Sequence, residues 1–322
     1  MRSVLIVRPS SLGDIVYALA VVVDVRREWP DAAIDWVVEP GFAPLVGLSP
    51  EVRRVIPFGL RRWRNAPFAS ATWSDMRAFR ATLRDSRYTA ILDLQEQVKG
   101  ALIARTARGT RHGFDRASIR EPLATLGDDV HHRVSRDLHF LTRCRLLAAA
   151  ALGYRSDTPP LWNLRAPAAP PFAARPYAVV LHSTSRDDKL WPETRWRSVI
   201  AAISAAGLAT VLPWGSAAEE ARSRRLAHGI DHAIVPAWLS LPDVAALLSR
   251  AEFAVGVDTG FTHLAAALHT PTVAIFTATE RALHGVAATG PHARDLGDVG
   301  VVPAVDDVLA SIGTNLSGAP RC

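Results

Sequence analysis

The sequence predicts an α/β protein made of two doubly wound parallel sheets, each with its own hydrophobic core. Short β-branched apolar runs alternate with stretches of helical spacing along most of the 322 residues, and 49% of the side chains are hydrophobic. Six prolines within residues 156–176 divide this pattern into two similar halves. Alternating strands and helices indicate parallel sheets covered on both faces, and a chain of this length usually forms two domains.

The front half shows four apolar runs of strand length and four stretches of helical period. The predicted strands are residues 4–7, 34–38, 55–58 and 90–94, and the predicted helices are residues 14–27, 74–85, 97–105 and 135–152. The first strand passes into the first helix after a short turn. This arrangement is typical of a βα unit, in which ligands bind outside the carboxyl ends of the strands.

The prolines mark the division of the chain, because proline removes a backbone donor and restricts φ. We predict a linker over residues 159–176 between domains of residues 1–158 and 177–312, followed by a disordered tail over residues 313–322. The rear strands are predicted at residues 178–181, 210–212, 233–235, 253–257 and 272–276. The rear helices are predicted at residues 192–205, 218–227, 241–251 and 261–268, with a C-terminal helix before the tail.

Composition excludes several classes of protein. Cys144 and Cys322 are too few and too distant for a disulfide framework or a zinc site, which suits a reducing cytoplasm. The longest early apolar stretch, residues 15–23, is shorter than the roughly 20 residues needed to cross a bilayer. Residues 3–7 lack the basic leader and the cleavage site of a signal peptide, so we expect a cytoplasmic protein.

Positive charge is concentrated in the front half. Residues 1–163 carry 24 basic and 17 acidic side chains, whereas residues 164–322 carry 13 and 14. A scattered excess is usually a solvated surface, but the basic cluster at residues 61–64 favours a phosphate-rich or carboxylate-rich partner. Nucleic acid and an anionic glycolipid both meet this requirement. Only Lys99 and Lys189 among the 37 basic residues are lysines, which present a compact point charge.

The first candidate site is the turn from Ser10 to Asp14, directly after the first predicted strand. Gly13 permits a tight turn there, and the hydroxyls and N–H groups at a helix start can hold an anion. Asp14 would repel that anion, and two interpretations of it stay open. It is either a helix cap or a general base whose proton affinity rises on desolvation.

The second candidate site is the polar loop of residues 182–192, after the first strand of the rear half. It contains three hydroxyl groups, Lys189, and Pro192 at a position suited to a first helical turn. A lysine in this place can stabilise a departing phosphate. The alternative is a surface loop in which Lys189 pairs with Asp187 or Asp188.

Two further turns follow strands of the rear half. Gly260 allows close approach of a ligand to a helix start, whose N–H groups form an anion site that His263 can join. The turn at residues 213–215, followed by Glu219, suits a nucleobase or a ribose. The sequence contains no G-x-G-x-x-G, P-loop, zinc-ligand or Asp-x-Asp spacing, so we expect no metal centre.

Taken in order along the chain, these segments and several others resemble the ADP-heptose lipopolysaccharide heptosyltransferases. The segments concerned are residues 10–14, 35–39, 53–57, 61–64, 93–99, 120–123, 184–192, 213–215 and 257–263. The resemblance implies the GT-B fold: two Rossmann-like domains with a cleft between them, the front one for the acceptor and the rear one for the nucleotide sugar. It also implies an inverting, metal-independent transfer of heptose from ADP-heptose to the 3-deoxy-manno-octulosonic acid (Kdo) of Kdo-lipid A.

The resemblance assigns roles to the matching positions. Asp14 corresponds to the catalytic base and Lys189 to the group that stabilises the leaving diphosphate, while Asp258 corresponds to a heptose contact. The implied donor-binding residues are Thr184, Ser185, Lys189, Pro213, Trp214, Glu219, Leu239, Asp258, Thr259, Gly260 and His263. The implied acceptor-binding residues are Ser10, Ser11, Gly13, Arg61, Arg62, Arg64, Gln95, Lys99 and Arg120. Ser185 and Leu239 replace a familiar Thr and Met, which retains a hydroxyl and an apolar side chain.

The resemblance further implies a monomer without a cofactor or nucleic acid, held to an anionic membrane surface at the cytoplasmic face of a Gram-negative inner membrane. Residues 61–64 and 120–123 favour the branch that adds the first heptose. The alternative branch acts on the already heptosylated core. A non-catalytic nucleotide-sugar-binding module is an alternative of another class, against which the presence of both Asp14 and Lys189 argues.

Overall fold

The computed structural model of the protein describes residues 2–168, 172 and 176–316. The chain divides into two compact units, Met1–Arg165 and Ala166–Cys322, and the division falls inside the predicted linker of residues 159–176. Each unit contains a six-stranded parallel sheet with interleaved helices, so the predicted α/β class is confirmed. Within the described residues, no helix combines the length and the apolar character needed to span a membrane.

The front unit contains the first six strands and helices. Its strands are β1 (Ser3–Val7), β2 (Ala33–Val38), β3 (Val52–Pro57), β4 (Arg87–Asp93), β5 (Arg108–Phe114) and β6 (Val130–His132). Its helices are α1 (Leu12–Glu28), α2 (Ala43–Val46), α3 (Leu60–Asn65), α4 (Ser70–Asp85), α5 (Val98–Thr106) and α6 (Phe140–Leu152). The strands pair in parallel in the order β3-β2-β1-β4-β5-β6.

The rear unit repeats this plan. Its strands are β7 (Tyr177–Leu181), β8 (Ala209–Val211), β9 (Ala233–Ile234), β10 (Phe253–Val257), β11 (Thr272–Phe276) and β12 (Ala293–Gly297). Its helices are α7 (Glu193–Ala205), α8 (Ala217–Ala227), α9 (Leu241–Ser249), α10 (Gly260–Ala267), α11 (Arg281–His284) and α12 (Val305–Leu316). The order β12-β11-β10-β7-β8-β9 is the front order read from the opposite edge.

Each unit has its own aromatic core beside its sheet. In the front unit, the rings of Phe58 and Trp63 meet edge to face at 5.1 Å between centroids. In the rear unit, the fully buried rings of Trp191 and Trp196 do the same at 5.0 Å. Burial of one such side chain contributes about 1.5–3 kcal/mol, so the two cores stabilise the two units separately.

Several elements differ from the sequence-based expectation. β5 was not predicted, because it carries Arg108, Arg111 and His112 in place of an apolar run, and β6 and β12 are likewise polar. The helix predicted over residues 135–152 begins only at Phe140, where the His139 side chain accepts the N–H of Leu141 at 3.2 Å as an N-cap. Polar strands at or next to a sheet edge lack the hydrophobic signal on which the prediction relied.

The tail predicted over residues 313–322 is partly helical. Residues 313–316 belong to α12, and residues 317–322 lie outside the described residues, as do Pro170 and Pro171 of the predicted linker.

Strand order brings candidate residues of each unit together at the carboxyl ends of the strands of its sheet. β1 is flanked by β2 and β4, and β7 is flanked by β8 and β10, so the strand order reverses beside β1 and beside β7. Val7 lies opposite Asp93, and Gly256 lies opposite Leu181. The segments after β1 and β4 therefore adjoin, as do those after β7 and β10, at the topological switch point where such sheets bind ligands.

Candidate active site

Asp14 lies in the first turn of α1, at the carboxyl end of β1. Ser11 is the N-cap of this helix, and both its N–H and its hydroxyl donate to Asp14 Oδ2, at 3.2 and 2.8 Å. Gly13 precedes Asp14 in the same turn. The capping role that the sequence left open is thus present, and it leaves the carboxylate a quarter exposed.

A buried cation stands behind this carboxylate. Arg8, the residue after β1, forms an ion pair with Asp14 Oδ2, and its side chain is only 5% exposed. Burial raises the pKa of Asp14, but the Arg8 charge and the hydrogen bonds from Ser11 outweigh it and hold the pKa below its ordinary value. Asp14 is therefore ionised at neutral pH, as a proton acceptor must be.

Three predicted acceptor residues lie beside this turn. Lys99 Nζ donates to the Ser10 hydroxyl at 2.7 Å, and the Ser10 N–H donates to Gln95 Oε1 at 3.3 Å. Burial, together with the charges of Arg8 and Arg61, lowers the pKa of Lys99, although the nearby carboxylate of Glu39 opposes the shift. The switch point of the front sheet thus joins residues that lie far apart in the sequence.

Two polar residues that the sequence did not single out support this group. The side-chain amide of Gln95 donates to Gln97 at 2.8 Å, and Gln97 donates to Glu121 at 3.1 Å. Glu121 also accepts the N–H of Val98, the first residue of α5, at 2.9 Å. This chain of hydrogen bonds orients Gln95 toward Ser10.

The predicted arginines are arranged less uniformly. Arg61 pairs with Glu39 at 3.2 Å between Nε and Oε2, and its charge acts on Lys99, so it belongs to the group around Ser10. Arg62 instead forms an ion pair with Asp75 of α4. Arg64 and Arg120 are exposed and, within the described part of the chain, form no ion pair.

Lys189 lies at the corresponding place in the rear unit. Its Nζ donates to Asp258 Oδ2 at 2.7 Å, and His263 Nε2 contacts Asp258 Oδ1 at 3.2 Å. The alternative, in which Lys189 pairs with Asp187 or Asp188 in a surface loop, is wrong, because Asp188 pairs with Arg186 and the carboxylate that holds Lys189 follows β10. Strand order brings Asp258 next to Lys189. The two residues are far apart in the sequence, so the sequence gives no sign of this pair.

The carboxylate of Asp258 is held on both oxygens. Burial raises its pKa, but His263 and Lys189 outweigh burial and keep the pKa well below its ordinary value. The Thr184 hydroxyl also donates to the Asp258 carbonyl at 2.9 Å. Asp258 was expected to contact heptose, and within the protein its carboxylate contacts Lys189 and His263.

The first turn of α10 completes this group. Thr259 is the N-cap and Gly260 the first helical residue, and the N–H groups of Gly260 and Phe261 come before the first bond of the helix, from the Thr262 N–H to the Thr259 carbonyl at 3.0 Å. Ser185 precedes the 3₁₀ turn Asp187–Lys189, and the Thr277 hydroxyl donates to the Asp188 carbonyl of that turn at 2.9 Å. Lys189, His263 and these N–H groups together suit an anion.

A separate part of the rear unit holds the residues predicted for a nucleobase and a ribose. Glu219 accepts the N–H of Gly215 at 2.7 Å, and the Trp214 ring N–H donates to the Pro236 carbonyl at 2.9 Å. Pro213 directly follows Leu212 after β8, and Leu239 directly precedes Ser240, the N-cap of α9. These contacts order both loops.

Comparison with known proteins assigns the family. Residues 76–296 match the family described as "Glycosyltransferase family 9 (heptosyltransferase)". The chain belongs to this family. It is 41% identical over 288 residues to lipopolysaccharide heptosyltransferase 1 of Salmonella typhimurium, covering 88% of this chain and 90% of that protein.

Solved structures agree with this assignment. The E. coli heptosyltransferase WaaC with ADP superimposes with a TM-score of 0.90 at 37% identity, covering 97% of this chain and 99% of that chain. The same enzyme with ADP-2-deoxy-2-fluoro heptose gives 0.86 with the same identity and coverage. The E. coli ADP-heptose heptosyltransferase II gives 0.78 at 20% identity over 98% of each chain, a likeness of fold. The GT-B fold is thereby confirmed, and the protein is a glycosyltransferase.

Sequence reasoning missed Arg8, Glu39, Gln97, Glu121 and Thr277 as parts of the two groups. Arg8 and Thr277 directly follow β1 and β11, so the rule that ligands bind after strands was available to find them. Glu39 follows β2 in the same way. Gln97 and Glu121 gave no such signal, because their roles depend on each other.

A metal site was not expected from the sequence. In the ranges that the structure describes, no cluster of three or more His, Cys, Asp or Glu side chains has an arrangement that could hold a metal ion.

Proposed function

We propose that this protein transfers L-glycero-D-manno-heptose from ADP-heptose to the Kdo of Kdo-lipid A, with inversion at the anomeric carbon. The observation that carries the proposal is the pair of opposite charges at the two switch points: an ionised carboxylate at Asp14 and a cation at Lys189. The names of the relatives support the substrates, since E. coli WaaC is described with ADP and with an ADP-heptose analogue.

In the proposed reaction, Asp14 accepts the proton of a Kdo hydroxyl. The hydroxyl oxygen bonds to the anomeric carbon of heptose as the bond from that carbon to the diphosphate oxygen breaks, and ADP leaves with the electron pair. A single displacement inverts the anomeric centre. A general base at this position accelerates such a step by about 10²–10⁴-fold.

Stabilisation of the negative charge on the departing diphosphate is assigned to the rear unit. Lys189, His263 and the first-turn N–H groups at Gly260 present positive charge and donors without a metal in the proposed mechanism. Thr184, Ser185 and Thr259 provide hydroxyls beside them. Trp214, Glu219 and Leu239 are proposed for the adenosine, as the resemblance implies.

The anionic acceptor is assigned to the front unit. Arg61 and Lys99 adjoin Ser10 and Gln95, close to Asp14, and we propose them for the Kdo carboxylate. Arg62, Arg64 and Arg120 are exposed, and we propose them for the phosphates of lipid A. Ser11 and Gly13 shape the turn that carries the base.

We also propose peripheral attachment to an anionic membrane on the cytoplasmic side. Phe68 and Trp73 are 93% and 52% exposed, and Met76 is exposed beside them. Arg77 and Arg80 follow Trp73 by four and seven residues along α4 and therefore share its side of the helix. Exposed aromatic and cationic side chains on one helix face suit a membrane surface.

Two alternatives are tested against this proposal. An enzyme for the already heptosylated core is disfavoured because E. coli heptosyltransferase II is 20% identical to this chain, against 37% for E. coli WaaC. A non-catalytic binding module is disfavoured because both charged groups are in place. The test is an ADP-release assay with Kdo-lipid A, its heptosylated form and no acceptor, each with and without EDTA.

We expect ADP release with Kdo-lipid A and not with the heptosylated form or without an acceptor, and we expect EDTA to leave the rate unchanged. Preference for the heptosylated acceptor would support the second branch, and no acceptor-dependent release would support the binding module. Loss of activity in EDTA would contradict the metal-free mechanism but not the proposed donor and acceptor.

A further inference from the structure

Arg8 is a buried cation that contacts three segments of the front unit. Its guanidinium donates to the Leu94 carbonyl, lies over the ring of Phe140 at 4.7 Å to the centroid, and pairs with Asp14. It thus contacts the segment after β4, the first residue of α6 and the first turn of α1. These three contacts hold the guanidinium in one place, and a buried charge of this kind needs its partners.

The contacts on Asp14 are unevenly divided between its two oxygens. Oδ2 receives the Ser11 N–H, the Ser11 hydroxyl and Arg8. Among the described residues, no hydrogen bond or ion pair falls on Oδ1. Because three donors fix one oxygen, the carboxylate cannot rotate freely, and the other oxygen keeps its lone pairs for an incoming proton.

We propose that Arg8 is a positioning residue for the transfer reaction, holding Asp14 ionised and anchored by Oδ2 so that Oδ1 receives the acceptor proton. This inference rests on the proposed role of Asp14 as the base. Arg8 itself touches neither substrate in the proposal, because it lies buried behind the carboxylate.

The charges around Asp14 make Arg8 the group that decides its ionisation. Lys99 bonds to Ser10, while Asp93 at the end of β4, Glu96 and the buried Cys144 all lie within reach of the Arg8 charge. Glu96 pairs with Arg143, so these two charges largely offset each other. Burial raises the pKa of Asp14, and Arg8 is the main opposing charge.

Loss of the Arg8 charge therefore changes the pH dependence with a definite sign. In the wild type the Asp14 pKa lies below its ordinary value, so the acidic limb of kcat/KM caused by Asp14 lies below about pH 4. Without Arg8 the pKa rises, and a larger share of Asp14 is protonated and inactive as the pH falls. The variant should lose activity toward acid more steeply than the wild type.

The experiment compares Arg8→Met, Arg8→Lys and wild type by kcat/KM for ADP release with Kdo-lipid A across pH. We expect the ratio of Arg8→Met to wild type to fall between about pH 8 and pH 5, by up to about tenfold, because removal of a nearby opposite charge raises a carboxyl pKa by roughly 1–3 units. Substrate ionisation is common to both proteins and cancels in the ratio. Arg8→Lys keeps the charge and should show a ratio that is independent of pH.

Two outcomes overturn the inference. A ratio for Arg8→Met that is low but constant with pH would show that Arg8 only supports the fold. If Arg8→Met does not fold, as judged by thermal unfolding, Arg8→Lys decides: an acidic limb moved upward in the lysine variant would show that retained charge does not control Asp14. Full activity of Asp14→Asn would contradict the proposed base itself, which distinguishes that failure from a failure of the Arg8 role.

Discussion

The two units place an ion pair at the same point of the same sheet topology, but with the charges exchanged. In the front unit the carboxylate of Asp14 is 25% exposed and its partner Arg8 is 5% exposed. In the rear unit the cation Lys189 is 18% exposed and its partner Asp258 is 9% exposed. The more exposed member is the reactive one in the proposed mechanism, and the more buried member holds it in place.

This exchange shows how one fold serves two kinds of chemistry. A buried charge is costly unless it is paired, so each buried partner requires an opposite charge beside it at the switch point. A buried arginine therefore keeps a proton acceptor ionised, whereas a buried aspartate keeps a cation in place for phosphate. The sheet topology places an ion pair at the switch point of each unit. The charge of the buried residue then determines whether the exposed partner is an anion or a cation.

Asp14→Asn breaks the front half of the comparison and should have the largest effect. We expect turnover to fall about a thousandfold, because the amide cannot accept the acceptor proton, while ADP-heptose binding measured by calorimetry stays unchanged. The matched control is Asp243→Asn. Asp243 accepts the N–H and hydroxyl of Ser240, the N-cap of α9, as Asp14 does from Ser11. Equal losses in both variants would reduce Asp14 to a helix cap.

Lys189→Met breaks the rear half. Turnover should fall about a hundredfold and ADP-heptose should bind more weakly, because one donor to the departing diphosphate is removed. Arg225→Met is the control, since Arg225 also pairs with a carboxylate, Glu193, but on an exposed helix surface. Unchanged donor affinity in Lys189→Met, measured by calorimetry, would contradict the diphosphate assignment.

Asp258→Asn sharpens the comparison by removing only the buried partner. We expect a stability loss of roughly 1–3 kcal/mol at neutral pH by denaturant unfolding, because hydrogen bonds to a charged group are lost. The pKa of Asp258 is depressed in the folded protein, so its contribution is present above the ordinary value of about 4 and is lost as the pH falls. The gap between variant and wild type should therefore narrow in acid. A gap that widens in acid would contradict this ion pair.

The smallest expected effect concerns membrane binding by the front unit, the more basic of the two. The double variant Phe68→Ser, Trp73→Ser should bind vesicles of phosphatidylcholine and phosphatidylglycerol several-fold more weakly, because it loses apolar contacts with the lipid. Trp238→Ser, at an exposed tryptophan of the rear unit, is the control. Wild-type binding should weaken as salt is raised and should be weak on phosphatidylcholine alone. Equal weakening by both variants would contradict a front-unit membrane surface.

Much of the fold was predictable because buried parallel strands are continuous apolar runs. β1, β7, β10 and β11 are apolar or nearly so, and each was predicted within a residue or two of its bounds. β5 was not, because its position beside β4 comes from pairing and not from its own arginines and histidine. Local hydrophobic pattern reports burial, and polar strands toward a sheet edge carry little of it.

The candidate site divides along the same line. The turns that carry Asp14, Lys189 and Asp258 follow strands, so the sequence alone marks them as places where a ligand binds. Tertiary structure decided three further points. It shows that Asp14 belongs to a helix cap, that Asp258 is the carboxylate that holds Lys189, and that Arg8 lies behind Asp14. Ion pairs form between groups that strand order brings together, as with Lys189 and Asp258, which are 69 positions apart, and local sequence does not contain that order.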